Sequence, residues 1–293
     1  MSGVSSFFAS YPSAFPWIAG LFGLAIGSFL NVVIFRLPVI LEQRWRSQCH
    51  ELVHPDKPPT ASEPFNLVLP RSRCPHCGHA ITALENIPIL SFLWLKGKCS
   101  ECGKPISWRY PAVELLTAGL SVWVAWHFGF NFGGLAALFL TWSLIALAFI
   151  DYDRQLLPDG ITLPLLWAGL FVNIFVVFAP LVSAVIGAAV GYLFLWLVYQ
   201  LFKLATGKEG MGYGDFKLFA ALGAWLGWQC LPLIILFASL VGALVGIAFI
   251  LFFGHDRRAP IPFGPFLCIA GWIALMWGDT LTRSYLQFAR LTV

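Results

Sequence analysis

Two pairs of cysteines lie in one polar stretch of the sequence, between residues 74 and 102. In each pair two residues separate the cysteines and a glycine follows. This is typical of a metal-binding knuckle, in which backbone N–H groups point at the thiolates and glycine accepts the positive φ of the turn. The 21 residues between the pairs come close to the spacing of four-cysteine zinc sites. Four thiolates close the coordination shell, so the sequence predicts one structural Zn²⁺ ion. The predicted ligands are Cys74, Cys77, Cys99 and Cys102.

Other interpretations of these cysteines remain open at this point. An iron ion in a rubredoxin-like shell uses the same four ligands. Disulfides would require an oxidising compartment, which the orientation predicted below disfavours. His76 and His79 flank the first pair and could replace a cysteine, but with four cysteines available we expect both to be solvated. Cys230 and Cys268 have no partner at ligand spacing, and we interpret them as small apolar residues.

Two aspartates stand at the edges of apolar segments. Asp151 directly follows the apolar run 133–150, and Asp215 is framed by Gly212 and Gly214. An ionisable residue beside an apolar span is costly and is by default a functional hypothesis. Two carboxylates a few ångströms apart share one proton, so that one can activate water while the other protonates a carbonyl, as in aspartyl proteases. We predict that Asp151 and Asp215 form such a catalytic dyad.

Other polar residues near apolar segments have simpler interpretations. We predict that Asp159 caps the helix that follows it. Glu114 is predicted to lie in a first helical turn, where a carboxylate complements the helix dipole. Asp153 precedes Arg154 and is interpreted as part of an interfacial ion pair. Asn31 lies in a small-residue stretch and is predicted to hydrogen-bond between packed helices.

The composition predicts that these residues are carried by membrane helices. Of 293 residues, 59% are hydrophobic and 11% are charged, whereas soluble domains have roughly 25% charged residues. The apolar residues arrive in blocks of about 20, which is the length a helix needs to cross a hydrocarbon core of about 30 Å. A soluble globular fold is therefore excluded, and we predict an all-α polytopic membrane protein, a bundle of about eight transmembrane helices. The predicted spans are residues 17–37, 111–128, 133–150, 161–179, 183–202, 217–229, 231–253 and 264–282.

The placement of cations predicts the orientation of the bundle. If the polar segment 38–110 is cytoplasmic, 16 of the 18 Lys and Arg residues fall on that side, in agreement with the positive-inside rule. Both termini then face outward, and the cysteines and both aspartates lie on the cytoplasmic side. Because this placement accounts for the net charge of +4, we expect no nucleic-acid partner. The 16 cations are Arg36, Arg44, Arg46, Lys57, Arg71, Arg73, Lys96, Lys98, Lys104, Arg109, Arg154, Lys203, Lys208, Lys217, Arg257 and Arg258.

The same pattern divides the chain into three predicted domains. Residues 1–37 carry the first transmembrane helix, residues 38–110 form a cytoplasmic four-cysteine zinc subdomain, and residues 111–293 form a transmembrane core with the aspartates. The span at 217–229 is the weakest, with about 13 residues. It is either a re-entrant piece or a helix that begins inside protein instead of lipid.

Taken together, these motifs resemble the type IV prepilin peptidases, the bifunctional prepilin leader peptidases and N-methyltransferases of type IV pilus and type II secretion systems. The resemblance runs over nearly the whole chain and is specific because a glycine-flanked aspartate occurs together with the four-cysteine loop. Besides the two cysteine pairs, it rests on residues 27–33, 85–88, 109–111, 151–159, 207–217 and 260–265.

The resemblance implies a membrane aspartyl endopeptidase that removes the short basic leader from prepilins or pseudopilins just after a glycine. The family's catalytic aspartates fall on Asp151 and Asp215. It also implies that the new amino terminus, usually phenylalanine, is methylated with S-adenosylmethionine at a site that the sequence does not locate. The first loop, with Glu114 and Asn31, is the candidate region. The implied location is the bacterial inner membrane, in contact with membrane lipid, with the aspartates and the zinc loop on the cytoplasmic side.

Two functions of other classes compete with this interpretation. A proton-coupled transporter could use Asp151, Asp215 and Glu114 as a proton relay, although such acids usually lie near the bilayer midplane. A non-catalytic secretion-assembly subunit could use the zinc loop to dock a cytoplasmic partner. Both alternatives predict that prepilin cleavage does not occur.

Overall fold

The computed structural model describes residues 6–8, 10–54, 65–253 and 261–288. Within these residues the chain contains no β-strand, and the predicted all-α class is confirmed. Lys57, Arg257, Arg258, Arg290 and Pro260, which the charge count and the resemblance use, lie outside the described residues. The helices are α1 (Ala14–Val53), α2 (Leu90–Trp94), α3 (Arg109–Phe128), α4 (Phe132–Arg154), α5 (Asp159–Ile174), α6 (Leu181–Thr206), α7 (Tyr213–Leu226), α8 (Leu231–Phe253) and α9 (Gly264–Phe288).

Each of the eight predicted spans overlaps one of the long helices. By length and composition, four helical segments of the described chain could cross a membrane: α1, α4, α6 and Trp228–Phe249, which includes most of α8. Two shorter apolar helices are α5 and Gly264–Gly278 within α9. The total of about eight crossings therefore stays a prediction, while a multi-pass helical architecture is supported.

The chain divides into two compact units, Met1–Phe130 and Asn131–Val293. In the first unit, α1 packs closely against α3 through glycines. A Cβ added at Gly27 would lie 2.7 Å from the Cα of Glu114, so a larger residue would push the helices apart. The side-chain amide of Asn31 donates to the carbonyl of Tyr110 over 3.1 Å. This confirms the predicted hydrogen bond between packed helices.

Helix α1 does not end near its predicted membrane boundary at residue 37. It continues through Pro38 to Val53, and its last turns are largely exposed. Proline removes one backbone donor but does not stop this helix, which goes on as a polar segment. An exposed ion pair between Glu42 and Arg46, one helical turn apart and 2.5 Å between the charged atoms, favours the helical state there.

In the second unit, α7 is enclosed by protein. Its residues 215, 216 and 218–226 are all buried, and α5, α6 and α9 pack around it. Asn173 of α5 is fully buried and donates to the carbonyls of Ala224 and Trp225 near the end of α7. Its amide oxygen accepts the backbone N–H groups of residues 178 and 179. Of the two interpretations of the weak span, the structure favours a helix surrounded by protein, since protein supplies the contacts that a short helix could not obtain from lipid.

Helices α6 and α7 approach each other very closely. The carbonyl oxygen of Gly187 occupies the space where a Cβ at Gly223 would lie, and the reverse contact also holds. Gly191, one turn further along α6, lies against the carbonyl of Phe219 in the same way, at 2.8 Å for its added Cβ. Small residues let the two backbones touch, as in other closely packed membrane helices.

We predict that Gly223→Ala destabilises the protein, because the new methyl group meets backbone atoms that cannot rotate away. Overpacking of this kind costs about 1–3 kcal/mol, and we expect the upper part of that range. Thermal unfolding of the purified protein in detergent measures the effect. Gly160→Ala is the matched control, since a Cβ at that exposed position of α5 meets no atom within 4 Å. Equal unfolding temperatures for the two variants would contradict the close packing.

Candidate active site and metal centre

Asp151 lies near the end of α4, four residues before Gln155 adopts a left-handed conformation and ends the helix. Its side chain is turned inward and is 6% exposed. The backbone N–H of Gly264, the first residue of α9, donates to Asp151 Oδ2 over 3.0 Å. A charge-assisted hydrogen bond from a backbone amide fixes the orientation of this carboxylate.

Asp215 lies in the first turn of α7 and is 8% exposed. Gly212 precedes the helix in an extended conformation, and its carbonyl accepts the backbone N–H of Asp215. A Cβ at Gly214 would lie 2.7 Å from Leu157, so glycine is needed there because the chain passes close to a neighbouring side chain. Among the described residues, Asp215 Oδ1 is buried and has no hydrogen-bond partner.

The two predicted catalytic aspartates lie near each other. Their carboxylates are close enough to interact electrostatically, and the thiol of Cys268 in α9 is close enough to interact with both. Cys268 is buried, as expected for a small apolar residue. The buried side chain of Leu157 fills the space between Gly214 and Gly264, the two glycines beside the acids. The short connection after α4 thus holds the ends of three helices in one arrangement.

The predicted cap at Asp159 is wrong. Pro158 occupies the cap position of α5 without a side-chain hydrogen bond, and Asp159 is the first residue of the helix. Its two carboxylate oxygens bind the ammonium group of Lys217 at 2.6 and 2.8 Å. The side chain therefore joins the start of α5 to α7 two residues after Asp215, instead of satisfying its own helix. Asp153 is exposed.

Glu114 also differs from its prediction. Helix α3 begins at Arg109, so Glu114 lies in the second turn and not in the first. Its carboxylate is buried and accepts the backbone N–H of Ile89 over 2.8 Å. Ile89 has a positive φ of 60°, and it immediately precedes α2. Glu114 thus fastens the short helix of the polar segment to α3.

The four predicted cysteine ligands come together in the first unit. Their sulfur atoms all lie within 4.8 Å of one another, and the Cys74–Cys102 and Cys77–Cys99 sulfur pairs are each 3.9 Å apart. With Zn–S bonds of about 2.3 Å, the edge of a tetrahedron is roughly 3.8 Å. The cluster therefore has the size and the donor set of a four-thiolate metal site.

The two halves of this cluster repeat the same local structure. Isolated β-bridges join Arg73 to Ala80 and Lys98 to Pro105, so each cysteine pair lies at the tip of a small hairpin. Gly78 and Gly103 have φ values of 76° and 66°, which confirms the predicted role of glycine in the knuckles. Backbone N–H groups of residues 76 and 77 lower the pKa of the Cys74 thiol to about 6, which favours the thiolate that metal binding needs.

Glu85 joins the two hairpins through contacts that no local sequence pattern indicates. Its carboxylate accepts the Ser100 hydroxyl beside Cys99, and the backbone N–H and hydroxyl of Thr82 at 2.8 and 2.9 Å. The Ser100 and Thr82 hydrogen bonds lower the pKa of Glu85 to about 2, so it is ionised at neutral pH. His79 lies 3.2 Å from the same carboxylate, and its side chain is only 23% exposed. The expectation that His79 is solvated is therefore wrong, whereas His76 is exposed.

Comparisons with known proteins agree with the division of the chain into two compact units. Residues 21–128 match the family model described as the Bacterial Peptidase A24 N-terminal domain, and residues 138–247 match the Type IV leader peptidase family. The first match includes the cysteine cluster and the second includes both aspartates. The helix that carries Gly264 lies outside the matched residues.

Similar curated proteins cover almost the whole chain. A protein of Aeromonas hydrophila named prepilin leader peptidase/N-methyltransferase is 61% identical over 275 residues, which are 92% of this chain and 95% of that protein. Proteins with the same name from Stutzerimonas stutzeri and Pseudomonas aeruginosa are 59% and 56% identical, and each alignment covers at least 97% of both chains. No solved structure matches the chain. The family resemblance stated from the sequence is confirmed.

We predict that Cys99→Ser lowers the metal content of the purified protein, because one of the four thiolates is lost. Elemental analysis by mass spectrometry would show about one zinc per chain in the unchanged protein. Cys49→Ser is the matched control, since Cys49 is exposed on α1 and lies outside the cluster. Unchanged metal content in Cys99→Ser would contradict the site, and iron in place of zinc would correct the choice of metal.

A second prediction concerns Glu85. We expect Glu85→Ala to keep all four thiolates but to weaken metal binding by about 10- to 100-fold, the usual effect of removing a group that orients a metal site. Competition with a chromophoric chelator measures the affinity. Glu51→Ala serves as the control, since Glu51 is an exposed acid near the end of α1. If both variants bind metal equally well, Glu85 does not hold the two hairpins together.

Proposed function

This chain belongs to the type IV leader peptidase family, and on that premise we propose that it cleaves the leader from prepilins or pseudopilins and then N-methylates the new amino terminus. The observation that carries the peptidase assignment is the pair of buried carboxylates, Asp151 and Asp215, which two different helices bring close enough to interact. The names of the similar proteins support both activities.

The proposed cleavage uses the dyad as two groups with one proton between them. One carboxylate takes a proton from water as the water oxygen attacks the carbonyl carbon of the scissile peptide bond. The other gives its proton to the carbonyl oxygen. When the tetrahedral intermediate collapses, the leaving nitrogen receives a proton and the C–N bond breaks. Burial of both acids suits this chemistry, because electrostatic interactions are stronger where water is scarce.

The proposed substrate fits a membrane enzyme. A prepilin offers a short basic leader followed by a hydrophobic helix, and cleavage follows the glycine at their junction. The helix can enter from the lipid while the cationic leader stays in water. This places the scissile bond at a membrane edge, where Asp151 and Asp215 end and begin their apolar helices. Water, the second reactant, is available at that edge and not at the midplane.

The position in the cell is proposed on the basis of charge. The chain has four membrane-capable helices within its described part, and its relatives are bacterial, which supports an inner-membrane protein. The excess of Lys and Arg in the segments predicted to be cytoplasmic supports placing the cysteine cluster and the dyad on that side. We retain the division into a first helix (1–37), a zinc subdomain (38–110) and a peptidase core (111–293) as part of this proposal.

The zinc ion and S-adenosylmethionine would have different roles. A Zn²⁺ ion held by the four cysteines would have no open coordination position, so it would stabilise the polar segment and take no part in catalysis. S-adenosylmethionine would act as co-substrate and supply the methyl group to the freed amine, usually that of phenylalanine. Glu114 and Asn31, the sequence-based candidates for this second site, use their side chains in contacts between segments.

The test replaces each acid by its neutral isostere. We predict that Asp151→Asn and Asp215→Asn each abolish cleavage of a prepilin in detergent, because neither amide can exchange the required proton. Appearance of the mature pilin, followed by gel mobility and mass spectrometry, measures the activity. Asp153→Asn is the matched control on the exposed side of α4 and should cleave normally. Retained cleavage in either dyad variant would refute the assignment.

The same variants separate the two activities. With a pilin that has already been cleaved, both dyad variants should still transfer the methyl group from S-adenosylmethionine. Joint loss of both activities would indicate one shared site. If the unchanged protein cleaves no prepilin, a proton-coupled transporter or an assembly subunit becomes the better interpretation.

A further inference from the structure

The two carboxylates of the dyad have unequal surroundings. Both are buried to a similar degree and each carboxylate has one backbone donor, Gly264 at Asp151 and Gly212 at Asp215, but Asp215 also has a buried oxygen, Oδ1, without a partner among the described residues. A hydrogen bond from a donor stabilises the charged form of a carboxyl group, and burial without a donor favours the neutral form. The surroundings of the two acids therefore differ, although the sequence predicts only that both belong to the catalytic dyad.

Gly264 suits its contact with Asp151 because it supplies a backbone amide and has no side chain. It is the first residue of α9, and the N–H groups of Phe266 and Leu267 are bonded to the carbonyl of Phe263. Pro265 has no N–H, so Gly264 supplies the amide that points at Asp151. A Cβ at Gly264 would lie 2.6 Å from Asp151 Oδ2 and 3.0 Å from its Cγ. Any other residue would therefore displace the carboxylate or the start of the helix.

The geometry points to a fixed division of labour in the dyad: Asp151 is the charged base, oriented by the Gly264 amide, and Asp215 is the protonated acid. This inference rests on the proposed cleavage reaction and adds Gly264 to it as a positioning residue. Gly264 touches neither substrate nor water in this scheme and acts through Asp151.

Both acids transfer protons during cleavage. Asp151 takes a proton from water as the water oxygen bonds to the carbonyl carbon, and Asp215 gives its proton to the carbonyl oxygen. In the collapse of the resulting diol, Asp151 passes its proton to the leaving nitrogen and Asp215 recovers a proton from a diol hydroxyl. The C–N bond breaks, and both acids return to their starting states.

The first test is Gly264→Ala with Gly278→Ala as the control. Both positions lie on α9, but a Cβ at Gly278 makes ordinary contacts, 3.4 Å from the Cys230 sulfur at the closest. We expect Gly264→Ala to lower kcat by about 100-fold, which is typical when a reacting group moves by about 1 Å. Gly278→Ala should cleave at the normal rate. A prepilin peptide whose scissile amide is replaced by a neutral trans-alkene linkage, which cannot be hydrolysed, should bind both variants with unchanged Kd, which separates positioning from loss of folded protein.

The second test reads the protonation states without any turnover. Infrared spectra of the unchanged protein at neutral pH should contain a protonated-carboxyl band that disappears in Asp215→Asn and persists in Asp151→Asn. A band that persists in Asp215→Asn, or is lost in Asp151→Asn, would overturn the division of labour.

The results of these tests distinguish the positioning role of Gly264 from the peptidase activity itself. If the unchanged protein cleaves prepilin and Gly264→Ala is as active as Gly278→Ala, the positioning role fails while the peptidase stands. If Gly264→Ala loses both cleavage and peptide binding, the effect is structural and the positioning role fails as well. If the unchanged protein does not cleave, the proposed function fails, and the infrared comparison still decides which acid holds the proton.

Discussion

A carboxylate beside hydrocarbon is costly unless protein surrounds it, and the second unit of this chain is organised around that constraint. Asp215 can begin a helix next to an apolar bundle because α7 is enclosed by α5, α6 and α9. That enclosure in turn requires small residues, since Gly187 and Gly223 let two backbones touch. It also requires Asn173, which satisfies two carbonyls at the end of the short helix α7. The packing of the helices and the chemistry of the dyad are therefore consequences of the same requirement.

Much of this arrangement could be predicted because charge is scarce in the sequence. In a chain with 11% charged residues, an aspartate at the end of an apolar run is conspicuous, and so is one between glycines. Local patterns were equally informative for the knuckles, where the glycine after each cysteine pair has the expected positive φ. Helix existence followed from blocks of apolar residues. The end of α1 did not, because its last turns are polar and are held by contacts such as that between Glu42 and Arg46.

What the sequence could not provide are contacts between distant segments. Asp159 has the residue type and position of a helix cap, but its partner is Lys217, 58 residues away. Glu85 meets Ser100 only because the two hairpins face each other. Gly264 lies 113 residues from Asp151, beyond the residues that match the peptidase family model. Its only sequence signal was its place in the proline-rich stretch 260–265, which resembles the family but does not state a role.

Two buried carboxylates, Glu114 and Asp151, each accept a backbone N–H from a distant segment, and Asp215 can be compared with them. Glu114 accepts the N–H of Ile89, and Asp151 accepts the N–H of Gly264; in each case the donor begins or precedes another helix. Each of these acids thus fastens a distant segment while its own charge is satisfied. Asp215 is equally buried but leaves an oxygen without such a donor among the described residues. The Oδ1 atom without a donor is the part of this carboxyl group that can hold and release a proton.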